Sequence, residues 1–468
     1  MDELSRLLHR AADEVVRYRE SLTERPVGVA RDRIVGVGAA FGGPLPEAGT
    51  APAKVLDELI AAAEDGLVGT AGPRFFGFVI GGALPGATAA EVLTAGWDQC
   101  ALNAVSAPAA AAAERGAGSW LKELLGIPAS ASVGFVTGAQ AANTVGLAAA
   151  RHHVLAEAGW DVERKGLHGA PRVRVIASDE RHATIDRSLR LLGLGSDAVE
   201  QVGADANGGI DVDKLSWVLR AGPAGPTIVC LQAGNVNTGA VDDLRSASEV
   251  VHRHGGWVHV DGAFGLWAAA SPSTRHLLDG VESADSWACD GHKWLNVPYD
   301  SAFAFCSRPE VHVAAMSYTA SYLVGSGAVP GAADYTAESS RRARGFAVWA
   351  AIKELGRDGV ADLVERCCAL ARRFADGLTS AGVEVVNDVV LNQVLVSFGD
   401  DARTDEIITA IQQDGTCWMG GTTWRGRRLM RISVSNYATT EADVDRSIAA
   451  ILQLVQPGVA TSTGEVGV

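Results

Sequence analysis

The sequence predicts an α/β protein with a mostly parallel β-sheet, followed by a smaller α+β module. From about residue 90, alanine-rich helical runs alternate with short β-branched runs. Strands separated by helices are typical of a parallel sheet with both faces covered. After residues 345–356 the pattern changes to a long helix, several short strands and a last helix. This change predicts a separate C-terminal module.

The elements give four predicted segments. Residues 1–75 carry helical patterns broken by prolines and are predicted to form an N-terminal arm. Residues 76–350 form the large domain, residues 351–456 the small one, and residues 457–468 a disordered tail. Five runs are predicted strands of the large sheet: VGFVTG (133–138), VRVIAS (173–178), TIVCLQAG (227–234), GWVHVDG (256–262) and SAFAFCS (301–307).

Composition excludes several classes of function. The 468 residues include 40 Lys and Arg against 55 Asp and Glu, a net charge of −15, so a nucleic acid would be repelled. The seven scattered cysteines lack metal-site spacing, which predicts no metal and a reduced, cytoplasmic setting. The N-terminus lacks the apolar core of a signal peptide, and no run of about 18 apolar residues follows. We therefore expect no membrane partner.

Two segments carry the strongest chemical signals. Asp261 ends the apolar run WVHVD, and ligands bind at the carboxyl ends of parallel strands. Lys293 follows 32 residues later within DGHKWLNVP, where an apolar context would make its amine a nucleophile. Taken alone, the aspartate could cap a helix and the lysine could be a surface residue. Together they match what pyridoxal phosphate requires, an amine for its aldehyde and a carboxylate for its ring nitrogen.

Two further segments match other parts of this cofactor. The segment 135–153 predicts a strand, a turn of small residues at 138–141 and a helix N-terminus, where backbone N–H groups bind phosphate. His182 follows another predicted strand and could stack on the cofactor ring. Any strand-to-helix junction could resemble the phosphate-binding segment 135–153. A histidine in a loop, such as His182, is often a solvent-exposed residue without a binding role.

In order and spacing, the motifs TGAQAAN, SDERHAT, HVDGAFG and DGHKWLNVPYD resemble the group II pyridoxal-phosphate-dependent amino acid decarboxylases, and among them the actinobacterial proteins. The resemblance runs from about residue 70 to about residue 455 and implies fold type I, the aspartate aminotransferase-like fold. It also implies a homodimer with the active site at the interface.

The resemblance assigns individual residues. It implies that Lys293 binds the cofactor covalently, Asp261 pairs with the ring nitrogen, Ala263 packs on the ring and His182 stacks over it. The cofactor phosphate is expected to bind four residues, which are Ala139, Gln140, Ala141 and His292. The family has serine among the positions of residues 139–141, so backbone N–H groups would contribute more here. Asn235 and Asn237 are further polar candidates near the cofactor.

The implied reaction is decarboxylation of an L-amino acid to an amine and carbon dioxide. A loop tyrosine is expected to return the proton to Cα, and Tyr335 within residues 326–345 is the candidate, with Tyr318 and Tyr322 as alternatives. Arg431 raises the possibility of an aminotransferase that grips the carboxylate, or it ties down the small domain. An aldehyde synthase, a carbon–carbon lyase and a non-catalytic relative remain open.

The substrate is encoded only weakly. The stretch PRFFGFVIGG (73–82) matches one that contributes to the side-chain pocket in aromatic amino acid decarboxylases. Phe78, Val79 and Ile80 would make this pocket apolar, which favours an apolar or aromatic amino acid over glutamate.

Overall fold

The structure is a computed structural model that describes residues 2–318 and 331–455. The predicted tail, residues 457–468, and the alternative proton donor Tyr322 lie outside these ranges. The chain divides into two compact units. The first unit comprises Met1–Ile80, Arg372–Val386 and Val394–Val468, and the second comprises Gly81–Ala371 and Asn387–Gln393.

The α-helices of the described residues are numbered in chain order. They are α1 (Glu3–Ser21), α2 (Arg31–Ala40), α3 (Pro52–Glu64), α4 (Pro85–Trp97), α5 (Pro108–Leu125), α6 (Ala139–Glu157), α7 (Val162–Lys165), α8 (Ala183–Leu191), α9 (Val212–Ala221), α10 (Leu244–Arg253), α11 (Pro309–Met316), α12 (Gly345–Ser380), α13 (Asp401–Asp414) and α14 (Glu441–Val455). Helix α12 is kinked at Gly356, where φ is 63°. Short 3₁₀-helices span Ser196–Ala198, Gly265–Ala270, Arg275–Leu278, Val281–Ser283 and Ala332–Tyr335.

The β-strands belong to two sheets. They are β1 (Ser132–Val136), β2 (Arg174–Ser178), β3 (Val199–Val202), β4 (Thr227–Gln232), β5 (Trp257–Asp261), β6 (Ser286–Asp290), β7 (Ala302–Cys306), β8 (Glu384–Val385), β9 (Gln393–Ser397), β10 (Gly420–Trp424) and β11 (Arg427–Ser433).

The second unit contains a seven-stranded sheet in the order β1-β7-β6-β5-β4-β2-β3. Strands β2 to β6 run parallel to their neighbours among themselves, while β7 is antiparallel to both β1 and β6. Every residue of β2 and of β4 to β7 is buried, as expected where both faces of a sheet are covered. The predicted α/β fold class is confirmed, and each of the five predicted runs overlaps a strand.

Strand β6 brings the two chemical segments together. It lies between β5 and β7, and Asp261 at the end of β5 is in register with Ala288 of β6. The Lys293 loop begins directly after Asp290, the last residue of β6. Because neighbouring parallel strands end at the same edge, the acid and the lysine emerge side by side.

The first unit contains a four-stranded sheet in the order β10-β11-β9-β8. Helix α13 packs on β11 and also contacts α14, so the unit is an α+β arrangement. Within the described part of the chain, neither α1 nor α3 has a buried residue. These arm helices therefore leave apolar side chains exposed, among them Leu4 and Leu8.

Candidate active site

A cavity of about 220 Å³ opens at the carboxyl edge of the seven-stranded sheet in the second unit. It is lined by the ends of β5 and β6, by the N-terminus of α6 and by the residues that precede α8. The cavity brings together seven of the residues predicted from the sequence: Ala139, Gln140, His182, Asp261, Ala263, His292 and Lys293.

Asp261 is 6% exposed and receives donors at both of its carboxylate oxygens. Asn143 donates from Nδ2 to Oδ2 at 3.0 Å, and the Thr184 hydroxyl donates to the same oxygen at 3.4 Å. The backbone N–H of Ala263 donates to Oδ1 at 3.3 Å. All three donors are neutral groups, so none of them balances the negative charge of the Asp261 carboxylate. This carboxylate lies in the wall of the cavity.

Lys293 points its amine at a second carboxylate. Its Nζ lies 3.0 Å from Oδ2 of Asp290, whose side chain is 2% exposed. The other oxygen, Oδ1, accepts the backbone N–H of Ala139 at 2.6 Å, in the first turn of α6. Sequence reasoning missed Asp290, although its place at a strand end just before the lysine was a usable signal.

The Lys293 loop is held by a segment from the start of the unit. The N–H of Gly82 donates to Asn296 Oδ1 at 2.6 Å, and the N–H of Leu84 donates to the Asn296 carbonyl at 2.8 Å. A Cβ on Gly81 would lie 1.8 Å from the Lys293 carbonyl oxygen, so this close approach requires glycine. The next residue in this loop, Trp294, is 1% exposed, and its ring packs beside that of Phe264.

Two histidines, His182 and His292, line the cavity. His292 accepts the N–H of Ser301 at Nδ1, at 3.1 Å, so Nε2 carries the proton and points at Asp290 Oδ1, 3.3 Å away. Burial lowers the pKa of His292, which keeps the ring neutral at pH 7. His182 is the N-cap residue of α8, and its Nδ1 lies 2.8 Å from the Thr184 hydroxyl and 3.3 Å from the Thr184 N–H.

Three predicted cofactor residues, Ala141, Asn235 and Asn237, are not among the residues that line the described cavity. Asn235 Oδ1 accepts the N–H groups of Asn237 and Thr238, and its Nδ2 donates to a backbone carbonyl, so it holds its own turn. Asn237 lies in the same turn. Ala141 packs against the apolar cluster that contains Val136 and Ala142. Only residues 139 and 140 of the predicted phosphate-binding turn therefore reach the cavity lining, together with Gly138.

The predicted proton donor and pocket residues lie outside the cavity lining of the described chain. Tyr335 ends a 3₁₀-helix; its carbonyl accepts from His312 Nε2 at 3.0 Å, and its ring packs on the same histidine. Residues 326–330 of its predicted loop lie outside the described ranges. Phe78, Val79 and Ile80 belong to the first unit, where Phe78 is 61% exposed and packs against Trp418. These assignments stay predictions.

Arg431 lies in β11 of the first unit. Burial lowers its pKa to about 10, which leaves the guanidinium charged at neutral pH. Within the described residues, no group of histidine, cysteine and carboxylate side chains has the arrangement of a metal site, and no helix is long and apolar enough to cross a membrane.

Comparison with known proteins identifies the family. The model of the pyridoxal-dependent decarboxylase conserved domain matches residues 46–399. The chain belongs to this decarboxylase family. It is an enzyme of the carboxy-lyase class, and its cofactor is pyridoxal phosphate, as the sequence predicted.

Individual relatives cover nearly the whole decarboxylase chain. Tryptophan decarboxylase 1 of Oryza sativa subsp. japonica is 27% identical over 484 residues, 95% of this chain and 92% of that protein. The 4-hydroxyphenylacetaldehyde synthase of Rhodiola rosea is 24% identical over 481 residues, 97% of this chain and 96% of the other. The crystal structure of Oryza sativa TDC with PLP and tryptamine superposes with a TM-score of 0.89 at 25% identity, covering 97% and 98% of the two chains.

The residues of the decarboxylase cavity fit pyridoxal phosphate. A lysine amine and a carboxylate with neutral partners lie in one cavity, as the aldehyde and the ring nitrogen require. Helix α6 begins at the cavity after Gly138, which has no capping side chain, and its first turn carries no acidic residue. A helix N-terminus of this kind is suited to a phosphate. The N–H of Ala139 donates to the Asp290 carboxylate, so this donor has an anionic partner within the protein.

Proposed function

We propose that this enzyme decarboxylates an L-amino acid with an apolar or aromatic side chain, releasing the amine and carbon dioxide. The observation that carries the proposal is the single cavity lined by both Lys293 and Asp261. Family membership supports the reaction class, and the 3.0 Å contact between Asn143 and Asp261 supports a fixed carboxylate.

Each residue of the cavity has a proposed task. When bound, pyridoxal phosphate supplies an electron sink for the bond between Cα and the substrate carboxylate. Lys293 would hold the aldehyde of the cofactor through its amine. Asp261 keeps a proton on the ring nitrogen, and His182 covers the exposed face of the ring. The phosphate would bind at the first turn of α6, at residues 139 and 140, together with His292; the N–H of Ala139, which now donates to Asp290, would have to exchange partners to take part.

The proposed assembly is a homodimer. Exposed apolar residues are spread over α1, α2 and the chain that follows α2: Leu4, Leu8, Val16, Val35, Phe41 and Leu45. Such a surface is unfavourable in water, and a second copy of the same arm would cover it. Light scattering should give twice the mass of the chain, and replacing Leu4 and Leu8 by Glu should shift the protein toward monomer. A monomeric wild-type enzyme with full activity would contradict this part of the proposal.

Tyr335 is the proposed proton donor to Cα, acting in the cavity of the neighbouring copy. Burial raises its pKa, so the phenol keeps its proton at neutral pH and can donate it. Replacing Tyr335 by Phe should divert product from amine to aldehyde. An unchanged amine yield would identify another donor, and Tyr318, whose hydroxyl lies 2.6 Å from that of Ser339, would be tested next.

The substrate class is tested directly. The enzyme is incubated with pyridoxal phosphate and a panel of aromatic, aliphatic, acidic and basic L-amino acids, and the products are measured by mass spectrometry. Tryptophan, tyrosine or phenylalanine should give the corresponding amine. Lys293→Ala should abolish both turnover and covalent attachment of the cofactor. Full activity of that variant would refute the site assignment.

An aldehyde synthase is the second candidate function, because a 4-hydroxyphenylacetaldehyde synthase is among the relatives that span the chain. Aldehyde, ammonia and peroxide with consumption of oxygen would favour it. An amine without oxygen uptake would favour decarboxylation. A keto acid would favour an aminotransferase, and cleavage of the side chain a carbon–carbon lyase. A non-catalytic relative would bind the cofactor and turn over none of the panel.

We also propose a cytoplasmic, reducing setting. All seven cysteines are free thiols, and six of them are buried. Unpaired buried thiols are typical of proteins from reducing compartments. Fractionation of the producing cells would test this placement, since an oxidising compartment would contradict it.

A further inference from the structure

A chain of hydrogen bonds leads from the buried body of the sheet to Asp261. Asn143 donates from Nδ2 to Asp261 Oδ2 at 3.0 Å, and its Oδ1 lies 2.9 Å from His259 Nε2. The other ring nitrogen of His259 lies 2.9 Å from the hydroxyl of Ser286. Trp257 Nε1 donates to that hydroxyl, also at 2.9 Å. Asn143, His259 and Ser286 are fully buried.

The chemistry of these groups fixes one direction for the whole chain. The carboxylate accepts, so the amide nitrogen of Asn143 faces it and the amide oxygen faces His259. An amide oxygen accepts only, so His259 carries its proton on Nε2. Burial lowers the pKa of His259 to about 4, which keeps the ring neutral. Its Nδ1 therefore accepts from Ser286, which in turn accepts from Trp257.

We propose that His259 is a positioning residue for the cofactor ring: it locks the amide of Asn143, which orients the Asp261 carboxylate into the cavity. This inference rests on the proposed role of Asp261 and adds the residues that hold it. Without the His259 donor, the Asn143 amide could turn over and place its oxygen against Asp261. The carboxylate would then lose a donor and meet a second acceptor.

The helix α6 is adapted to this arrangement. Asn143 and Gly146 are three residues apart and therefore lie on the same face of the helix. A Cβ on Gly146 would lie 2.6 Å from Cε1 of His259. The same face of α6 thus provides the bonding amide and the space for the imidazole, which links the two features independently of the hydrogen bonds.

A neutral partner also suits the proposed task. A cation beside Asp261 would balance the carboxylate charge and reduce its ability to keep a proton on a ring nitrogen. The neutral imidazole orients the carboxylate through an amide and leaves that charge available. A lysine or arginine at the same place would orient Asp261 equally well and oppose the chemistry.

The test uses enzyme loaded with pyridoxal phosphate that carries ¹⁵N in its ring. The ¹⁵N chemical shift reports protonation of the ring nitrogen directly and does not depend on turnover. Wild type should show the protonated signal. His259→Leu removes both ring contacts and should move the signal toward the neutral value. His259→Gln keeps a donor toward Asn143 and should restore most of the protonated signal. The kcat for decarboxylation should fall about 10-fold to 100-fold in the Leu variant, by analogy with the outer-shell partners of metal ligands.

His312 provides a matched control. It is also buried in the second unit, its Nδ1 lies 2.8 Å from Ser132 Oγ, and its Nε2 contacts a backbone carbonyl. Burial lowers its pKa to about 4 as well. His312→Leu should therefore reduce stability as His259→Leu does and leave the ¹⁵N signal unchanged. Equal shifts in both variants would overturn the inference, because loss of any buried histidine would then suffice.

Two further variants keep the result decisive. If His259→Leu does not fold, Asn143→Ala removes the next link and should give the same shift. Asp261→Asn tests the underlying assignment. A shift in Asp261→Asn with none in His259→Leu or Asn143→Ala would refute the positioning role alone. No shift in Asp261→Asn would refute the proposed role of Asp261 itself.

Discussion

Asp261 and Asp290 end neighbouring strands and line the same cavity, and yet their partners differ in charge. Asp261 receives an amide, a hydroxyl and a backbone N–H, all neutral. Asp290 receives the ammonium of Lys293 at 3.0 Å, together with His292 and the N–H of Ala139. Two carboxylates of nearly equal burial are thus held in opposite electrostatic settings.

This difference indicates which carboxylate can serve the cofactor ring. The charge of Asp290 is already balanced by the lysine 3.0 Å away. The charge of Asp261 is oriented by dipoles and remains available to a cation that enters the cavity, such as a protonated ring nitrogen. Burial and position alone would not distinguish the two residues; their donors do.

The largest expected effect is the loss of activity when the charge of Asp261 is removed. Asp261→Asn keeps the shape of the side chain and removes its charge, so kcat should fall by roughly 10²–10⁴-fold, the range for groups that control a proton in the reaction. The KM should change less. Steady-state kinetics with the best substrate of the panel would measure both. A larger fall in Asp290→Asn than in Asp261→Asn would reverse the two assignments.

The second prediction concerns the charge of Asp290 beside the proposed phosphate site. Asp290→Asn removes a negative charge that lies next to the first turn of α6 and would repel a phosphate there. Pyridoxal phosphate should bind about 10-fold more tightly, equivalent to about 1.4 kcal/mol. Titration of the cofactor-free protein by fluorescence would measure the affinity. Weaker binding would mean that Asp290 acts mainly by holding Lys293 in place.

The third prediction concerns a substitution that should shift the Lys293 loop, which follows Asp290, and leave Asp261 unchanged. In Gly81→Ala, the new methyl group would meet the Lys293 carbonyl, so the loop must shift. The free energy of unfolding should fall by about 1–3 kcal/mol, as in other overpacked sites. Urea denaturation would measure it. Gly96→Ala is the matched control: it lies in α4 with open space around it and should stabilise the protein by up to about 1 kcal/mol.

The smallest expected effect is in the pH dependence of stability. The pKa of His259 is about 4 in the folded protein, below the unfolded value, so unfolding takes up a proton between about pH 6.5 and pH 4. Stability from this group is present above pH 6.5 and is lost as the pH falls through that window. His259→Gln should flatten the slope there by at most about 1.4 kcal/mol per pH unit. His292→Gln should flatten it less, because Asp290 opposes the effect of burial on that ring. An unchanged slope in His259→Gln would mean that folding does not lower the pKa of His259.

Much of the fold could be predicted from sequence because the central strands are apolar on both faces and separated by helices. Strand β3, VEQV, was missed because polar residues interrupt it at the edge of the sheet. Strand β6, SWACD, was missed because it begins with serine and continues directly into the lysine loop. Strand β10 was missed because GGTTW has the composition of a turn.

Within the site, the predictable residues were those with a local signal. Asp261 ends an apolar strand, and Lys293 lies among aromatic and small residues. Asn143 gave no such signal, because a polar residue in a helix is ordinarily a surface residue. Its partner Asp261 lies 118 residues away in the chain, so their contact depends on the tertiary fold. Asn235 shows the reverse case, since its amide is engaged by its own turn.

The clamp between Gly82 and Asn296 bears on how the protein folds. The two residues are 214 positions apart, and their hydrogen bond helps to hold the loop that carries Lys293. Contacts between such distant segments form late, because closing a long loop costs entropy before the contact repays it. A chain still in the course of folding would present the lysine on an untethered loop. Covalent attachment of the cofactor should therefore trail the collapse of the sheet and mark the end of folding.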